Sequence, residues 1–299
     1  MSIAVPAQTS SDNLRGIGAM LAAMAAFVVN DAMMKLAAAD LPTGQVIFLR
    51  GLMIVPVLAA LMLAGATPAT LEMLRRPGIL ARCMAEVAAA VLYLSALFHM
   101  PIAECTAILQ FTPLALTAGA ALFLGAPVGW RRWLATLVGL IGVLIIIRPG
   151  ASAFNPYAAL ALLSVAFIAA RDLITRRLGK DVPTIVIAFT STAAVAVSSL
   201  GLLPFETWQW PSTAAMLALL GASVALLGAQ YWIILAMRTG DIAVVAPFRY
   251  SIILWAIVAG LLVWGEVPDA ATWAGIAIVT AAGLYTFLRE HRLAKAARA

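Results

Sequence analysis

Two long apolar runs near the C-terminal end, separated only by a short polar turn, most constrain what this chain can form. The runs are Ile242–Trp264 and Ala271–Leu288, and the turn between them is Gly265–Asp269. The hydrocarbon core of a bilayer is roughly 30 Å thick, and about 20 apolar helical residues are needed to cross it. The pair therefore predicts two membrane-spanning helices joined as a hairpin.

The composition extends this interpretation to the whole chain. Of the 299 residues, 64% are hydrophobic and 11% are charged, and the mean hydropathy is +1.03. Soluble domains carry about 25% charged residues, so this deficit excludes a water-soluble globule. The apolar runs are continuous, whereas a transmembrane barrel is built from strictly alternating segments of about 10 residues. The composition indicates a helical membrane protein that spans the bilayer several times.

The same hairpin occurs twice in the chain. Sliding the sequence by 140 residues aligns Gly125 with Gly265 and Trp133 with Trp273, and it also aligns apolar residues such as Leu114 with Leu254. A glycine and a tryptophan eight residues apart, at the same point of both hairpins, indicate a duplication. We therefore predict two repeats, residues 1–150 and residues 151–299.

Ten spans fit between the turn signals of the sequence, five in each repeat. An odd number of spans makes the second repeat enter the membrane from the opposite side, which is the inverted-repeat arrangement of alternating-access transporters. The predicted fold class is therefore an all-α membrane protein with ten transmembrane helices as two inverted five-helix repeats. The predicted spans are residues 15–38, 43–64, 79–98, 102–124, 130–147, 156–176, 182–203, 212–237, 242–264 and 270–289.

Lysine and arginine predict the orientation, because cytoplasmic loops carry an excess of both. With cytoplasmic termini, the outer segments hold only Lys35 and Arg148. The basic residues therefore serve topology, and the pI near 9.8 does not indicate a nucleic-acid partner. The inner segments hold the much larger set of Arg15, Arg75, Arg76, Arg131, Arg132, Arg176, Arg177, Lys180, Arg238, Arg289, Arg292, Lys295 and Arg298.

Short motifs in both repeats resemble a known family. The second repeat carries Ala-Pro-Phe-Arg-Tyr at 246–250, Gly-Glu-Val-Pro-Asp at 265–269, Trp-Ala-Gly at 273–275 and Gly-Leu-Tyr at 283–285. The first carries Phe-Leu-Arg at 48–50, Pro-Leu at 113–114, and Gly-Leu-Ile-Gly-Val at 139–143 before Arg-Pro-Gly at 148–150. Over nearly its whole length the chain resembles the EamA-type transporters of the drug/metabolite transporter superfamily.

This resemblance implies a ten-helix carrier of the bacterial inner membrane that is similar to exporters of aromatic and other amino acids. Members of the family move small metabolites that include amino acids, S-adenosylmethionine, riboflavin and nucleotide sugars. The chain departs from the family at the end of span 4. The usual Gly-Glu is Gly125-Ala126 here, so the acid is present only in the second repeat, as Glu266.

Ionisable side chains inside predicted spans are candidates for the translocation path, because such groups are costly in hydrocarbon and commonly face a cavity or a partner. Arg50 is predicted to meet a substrate carboxylate; alternatively it extends to the interface or pairs with Asp31 or Glu104. Glu86 is the candidate for a proton-coupling carboxylate; alternatively it forms an intrahelical ion pair with Arg82, four residues earlier.

Two prolines predict the gating elements. Proline removes a backbone donor, so Ala246–Tyr250 around Pro247 is predicted to be a kink in span 9. Arg249 then lies over the cavity or anchors the helix at the interface. Pro113 in span 4, the counterpart of span 9, is predicted to act with Pro247 as a gate or hinge.

Amides and interior aromatic residues complete the predicted site, although amides in lipid also bridge helices and aromatic rings also serve packing. The neighbours Arg171 and Asp172 are instead predicted to pair locally or to anchor span 6 at its inner end. The predicted substrate-binding set is Asn30, Arg50, Glu86, Tyr93, Gln110, Gln230, Tyr231, Arg249, Tyr250 and Trp255.

The sequence contains no G-x-x-x-x-G-K-[ST] phosphate loop, no H-E-x-x-H and no G-x-S-x-G, so no ATP hydrolysis, metal or cofactor is predicted. We expect a secondary transporter that exports amino acids, aromatic or other large apolar ones. The alternatives are an importer of a cofactor-like metabolite such as S-adenosylmethionine or riboflavin, and an intramembrane lipid-modifying enzyme. The expected partners are a small-molecule substrate and the lipid bilayer, and a homodimer is left open.

Overall fold

The computed structural model describes residues 10–65, 73, 76–125, 129–149, 155–178, 182–239 and 242–296. Ten helices in these ranges are long and apolar enough to cross a membrane, which confirms the ten predicted spans. No strand occurs among the described residues. Spans 1, 2, 3, 5, 6, 8 and 10 are unbroken α-helices: Ser10–Ala37, Thr43–Ala64, Pro77–His99, Trp130–Ile147, Pro156–Arg177, Thr213–Thr239 and Ala270–Ala296.

The other three spans are interrupted. Span 4 consists of Ile102–Leu109 and Thr112–Leu124, and span 7 continues from Thr184–Ser198 into the 3-10 helix Ser199–Phe205. Span 9 consists of the short helix Ile242–Val245, the 3-10 segment Ala246–Tyr250 and the helix Ser251–Trp264. The kink predicted around Pro247 is therefore present.

Proline chemistry explains the break in span 4. Pro113 lies in the first turn of the helix Thr112–Leu124 and has no N–H to donate to the preceding turn. The carbonyl of Leu109 instead accepts a hydrogen bond from the Thr112 hydroxyl at 2.6 Å. A side-chain donor thus takes the place of the backbone donor at the break.

The turns of the two hairpins lie 140 positions apart, as the sequence alignment predicts. Gly125 and Gly265 end spans 4 and 9 with φ values of 63° and 67°, a left-handed conformation that favours glycine. Spans 5 and 10 then begin at Trp130 and Ala270.

Helix packing pairs spans across the two halves of the chain. Span 1 packs along span 8, span 3 along span 6, span 2 along span 7 and span 5 along span 10. Spans 5 and 10 approach closely at Gly142 and Gly275: a Cβ added to Gly275 would lie 2.7 Å from the Gly142 carbonyl oxygen. Small residues allow this close packing, as they do in other membrane helices.

The apolar core differs between the two ends of the bundle. We call the end where span 1 begins the N-terminal end, and the end where span 1 meets span 2 the distal end. The largest core cluster draws mainly on the distal halves of the spans, with fully buried residues such as Met34, Val46, Leu97, Ile108 and Leu219.

Two smaller clusters lie in the N-terminal half, and they share no residue with each other. One joins spans 1, 8 and 9; the other joins spans 2, 3 and 7. The helices are thus held in one common core at the distal end and in separate groups at the other. The buried members of the two clusters are Ala19, Met20, Ala23, Met24, Ala236 and Val245, and Met62, Ile79, Cys83, Val182 and Val186.

Candidate functional site

Spans 1 and 3 bring a polar group together in the distal third of the bundle. The Asp31 carboxylate accepts hydrogen bonds from the Asn30 side-chain amide at 2.8 Å and from the Tyr93 hydroxyl. Asn30 is 4% exposed, whereas Asp31 and Tyr93 are half-buried. Asp31 lies six residues before the end of span 1, about 9 Å below the distal end at 1.5 Å per helical residue.

Arg50 of span 2 faces this group without joining it. Its guanidinium lies within electrostatic range of Asp31, Tyr93 and Glu86. Among the described residues it makes no hydrogen bond and no ion pair, and its side chain is half-buried. Of its two predicted partners, Glu104 instead accepts a hydrogen bond from Thr272 at 3.4 Å, and Asp31 is its electrostatic neighbour.

An unpaired guanidinium in an apolar bundle is costly, and such groups generally face a partner or a water-filled cavity. The Arg50 donors, which no described residue accepts, can therefore bind an anionic group. We refer to Asn30, Asp31, Arg50 and Tyr93 as the Asp31 group. Three of these four belong to the predicted substrate-binding set; the sequence places Asp31 only as a partner of Arg50.

Glu86 lies in a second group, nearer the N-terminal end. Arg82 lies 3.3 Å from one Glu86 oxygen, which confirms the predicted i, i+4 pair, and Arg171 of span 6 lies 3.0 Å from the other. The predicted local pair is also present, with Arg171 Nε 2.9 Å from the Asp172 carboxylate. Both Glu86 oxygens are thus held by arginines, and the two acids balance the two bases.

Arg82 also connects this network to spans 6 and 7. Its Nε donates to the Thr175 hydroxyl at 2.9 Å, and its guanidinium donates to the Ser191 hydroxyl. The cross-helix partners Arg171 and Ser191 lie far from Glu86 in sequence, so residue spacing gives no signal for them. We call Arg82, Glu86, Arg171 and Asp172 the Glu86 network.

An ion pair joins the two halves of the chain at the distal end. Lys35 Nζ lies 2.8 Å from Glu266 Oε1, donates to the Met100 carbonyl at 2.8 Å and lies 4.7 Å from the centre of the Trp264 ring. The other Glu266 oxygen accepts the Ile102 N–H at 3.0 Å. This distal ion pair lies one helical turn beyond Asp31, and it joins residues 231 positions apart, a separation for which the sequence gives no signal.

Further contacts reinforce the same end. Arg148 donates to Asp269, and this hydrogen bond holds the pKa of the Asp269 carboxyl well below its usual range, so the pair stays ionised at neutral pH. The backbone N–H of Gly44 donates to Glu206 at 2.9 Å. A Cβ at position 44 would lie 2.6 Å from that carboxylate, so glycine is needed for the approach.

The remaining predicted site residues lie apart from these groups. Gln110 is at the break of span 4, and Tyr250 packs so closely on Gly283 that a Cβ there would overlap its hydroxyl. No described polar contact joins any of them to the Asp31 group. Their predicted roles stay predictions. Four of these predicted residues have exposed side chains: Gln230, Tyr231, Arg249 and Trp255.

A cavity of about 490 Å³ lies between spans 4, 5 and 6. It lies between the span 4 break and the N-terminal end of the bundle. Its lining is almost entirely apolar, with Arg177 at its edge, and it includes none of the predicted substrate-binding residues. The cavity is therefore separate from both polar groups. Residues that line it include Phe111, Gly119, Thr136, Ala170, Leu173 and Arg177.

Comparison with known families decides the class of protein. The EamA-like transporter family matches this chain twice, over residues 14–148 and again over residues 155–288. The chain belongs to the EamA-like transporter family. It is therefore a multi-pass membrane transporter of the drug/metabolite type and not an enzyme, so the lipid-modifying alternative is dropped.

Curated relatives carry several substrate names. A riboflavin transporter of Vibrio cholerae is 34% identical over 184 residues, 61% of each chain, so the match spans less than two thirds of that relative. The pseudopaline exporter CntI of Pseudomonas aeruginosa is 30% identical over 270 residues, 89% of this chain and 94% of the exporter. An S-adenosylmethionine uptake transporter of Rickettsia conorii is 29% identical over 197 residues, 64% of this chain and 65% of the transporter.

A solved structure supports the fold alone. It has a TM-score of 0.59 and 23% sequence identity, and the match covers 94% of this chain and 99% of the other. Amino-acid export, the substrate class expected from the sequence, is not among the names of these relatives. The transporter class is thus shown, and the substrate is a matter for proposal.

Proposed function

We propose that this protein is a secondary transporter of the bacterial inner membrane that moves a small zwitterionic metabolite by alternating access. Amino acids, aromatic or other large apolar ones, are the first choice of substrate, and export is the proposed direction. The observation that carries this proposal is the Arg50 guanidinium, which has no hydrogen bond or ion pair among the described residues and can take a substrate carboxylate.

Inverted repeats, residues 1–150 and 151–299, are the proposed basis of alternating access. Three observations support this division. The family matches the chain twice, once in each half. The ends of the two hairpins lie 140 residues apart. The packing of the spans is also symmetric between the two halves. If spans 1 to 5 are exchanged with spans 6 to 10, the packed pair of spans 1 and 8 becomes the packed pair of spans 6 and 3. The packed pairs of spans 2 and 7 and of spans 5 and 10 are exchanged with themselves.

The distribution of contacts supports an inward-facing state. The distal end has one common core and the Lys35–Glu266 and Arg148–Asp269 ion pairs, whereas the N-terminal half is divided into separate apolar clusters. The lysine and arginine distribution favours cytoplasmic termini. Together they favour a site that opens to the cytoplasm and is closed from the other side, as an exporter needs before it loads substrate.

A second candidate is the import of a cofactor-like metabolite. It is favoured by the names of two relatives, one a riboflavin transporter and the other an S-adenosylmethionine uptake transporter. S-Adenosylmethionine contains an α-amino-acid group, so its carboxylate could use Arg50 in the same way. Riboflavin has no carboxylate, so a riboflavin carrier would not need Arg50 for binding.

Counterflow uptake in proteoliposomes tests both candidates. Proteoliposomes that contain the purified protein are preloaded in turn with unlabelled phenylalanine, leucine, S-adenosylmethionine or riboflavin. Uptake of the same compound in labelled form is then measured with and without a pH gradient. We expect amino-acid uptake that Arg50→Ala abolishes and Arg50→Lys partly restores. Arg131→Ala, which removes an exposed arginine beside Trp130, is the matched control and should transport normally.

The outcomes separate the candidates. Uptake of riboflavin alone, unaffected by Arg50→Ala, would show that the proposed substrate class is wrong. Uptake of S-adenosylmethionine without amino acids would favour the second candidate while keeping the role of Arg50.

A further inference from the structure

Arg50 and Asp31 carry opposite charges in the same part of the bundle, yet they do not touch. Asp31 is hydrogen-bonded to Asn30 and Tyr93, and Arg50 acts on it only through electrostatic attraction. Opposite charges in an apolar interior gain most from direct contact with good geometry. A molecule that bears both charges could meet Arg50 with its anionic group and Asp31 with its cationic group.

The Asp31 side of this arrangement also has unused acceptors. An ionised carboxylate has about four acceptor positions, and Asp31 uses two of them. The neighbouring Asn30 Oδ1 is buried and has no hydrogen-bond partner among the described atoms. Buried acceptors in native proteins generally meet a donor, which can belong to a water molecule or to a bound ligand.

We propose that Asp31 and Asn30 Oδ1 bind the ammonium group of the substrate while Arg50 binds its carboxylate. This inference rests on the proposed transport function and narrows its substrate class to compounds with an α-amino-acid group. Tyr93 is a positioning residue, since its hydroxyl holds one Asp31 oxygen and leaves the carboxylate oriented. An ammonium group has three donors, which matches the acceptors that Asp31 and Asn30 offer.

Along the spans, the proposed site lies between the distal ion pair and the Glu86 network. The distal ion pair begins one turn beyond Asp31, at Lys35, and joins the two halves of the chain there. On the other side lies the Glu86 network, in which both oxygens of Glu86 are already held by arginines. Among the described residues of these three groups, Asp31 is thus the carboxylate that no lysine or arginine contacts.

Matched analogues test the inference. Phenylalanine has both charged groups, 3-phenylpropionate lacks the ammonium group, and phenethylamine lacks the carboxylate. Competition against labelled phenylalanine in proteoliposomes gives the apparent affinity of each compound. The wild-type protein should prefer phenylalanine to both analogues by about tenfold to a hundredfold, the range given by one hydrogen bond to a charged group.

The variants should then change selectivity in opposite directions. Asp31→Asn should lower the apparent affinity for phenylalanine by about tenfold or more, and it should leave the affinity for 3-phenylpropionate unchanged or higher. Arg50→Gln should also lower the affinity for phenylalanine, but it should leave the affinity for phenethylamine unchanged. Asp31→Glu retains the charge and should recover part of the affinity. Asp40→Asn, in the loop after span 1, is the control carboxylate and should behave as wild type. Melting curves in detergent confirm that each variant is folded.

Each outcome bears on a different statement. If the wild type transports amino acids but Asp31→Asn weakens phenylalanine and 3-phenylpropionate equally, Asp31 supports the fold or Arg50 and the inference is wrong. If the wild type transports no compound with an α-amino-acid group, the proposed substrate class itself fails. If Asp31→Asn abolishes only the dependence on a pH gradient, Asp31 carries a proton and does not bind the ammonium group.

Discussion

Two arginines inside the spans, Arg50 and Arg82, differ in the contacts that they make. Arg50 and Arg82 both lie inside spans, but Arg82 bonds Glu86, Thr175 and Ser191 whereas Arg50 bonds none of the described residues. A guanidinium whose donors are satisfied stabilises the protein, and one whose donors are free can bind a ligand. The structure therefore favours a binding role for Arg50 and a structural role for the Glu86 network.

Removing the Glu86 charge should test this division. Glu86→Gln leaves Arg82 and Arg171 without their shared partner. Loss of a buried partner costs about 3–5 kcal/mol, and the loss here should be smaller because these side chains keep 12–23% exposure. We expect a lower melting temperature in detergent with the pH-gradient response unchanged. A normal melting temperature with loss of the gradient response would instead make Glu86 the coupling carboxylate.

Sequence could predict only the nearest of these contacts. The Arg82–Glu86 pair follows from a spacing of four, and Arg171–Asp172 are neighbours. Lys35–Glu266 joins residues 231 positions apart, and its geometry depends on how the hairpins pack. Acidic residues in loops contribute little to topology, so the acids of the distal loops give no signal for this contact. Their role here is to fasten the ends of the helices.

At the scale of elements, spans 4 and 9 are interrupted beside a proline that has no backbone N–H to donate. The sequence predicted the ten spans and the kink at Ala246–Tyr250, because both follow from local chemistry: apolar length and the missing proline N–H. It placed the second hinge at Pro113, and the break falls just before it, at Gln110 and Phe111. Whether these breaks move during transport is a separate prediction.

Restoring the backbone donor tests the hinges. Pro113→Ala allows the N–H of residue 113 to reach the Leu109 carbonyl that Thr112 now occupies, so span 4 should straighten and stiffen. We expect slower counterflow with little change in apparent affinity, and the same for Pro247→Ala. Pro56→Ala, at an exposed position inside span 2, is the control. Equal slowing by all three would show that the effect is not specific to spans 4 and 9.

At the scale of the whole molecule, the two ends of the bundle are not equivalent. The proposed inverted symmetry relates residues 140 positions apart, so the counterparts of Lys35 and Glu266 are Thr175 and Ala126. Threonine and alanine cannot form an ion pair. Thr175 instead accepts a hydrogen bond from Arg82. The distal end thus has a charged contact that its symmetric position lacks, and this difference favours the state that is closed at the distal end.

Weakening that contact should move the protein toward the opposite state. Glu266→Gln removes the charge that Lys35 meets and should shift the equilibrium by about tenfold for each 1.4 kcal/mol lost. Spin labels at Ala39→Cys and Val267→Cys, both exposed at the distal end, report the opening as a distance. The free cysteines Cys83 and Cys105 are first replaced by alanine.

Without Glu266→Gln, the two labels should give one short distance. With it, a second and longer distance should appear, and added substrate should change the ratio of the two. Asp172→Asn, which changes a carboxylate in the Glu86 network and touches no distal residue, should keep the single short distance. A single short distance in Glu266→Gln as well would show that the common apolar core, and not the ion pair, keeps the distal end closed.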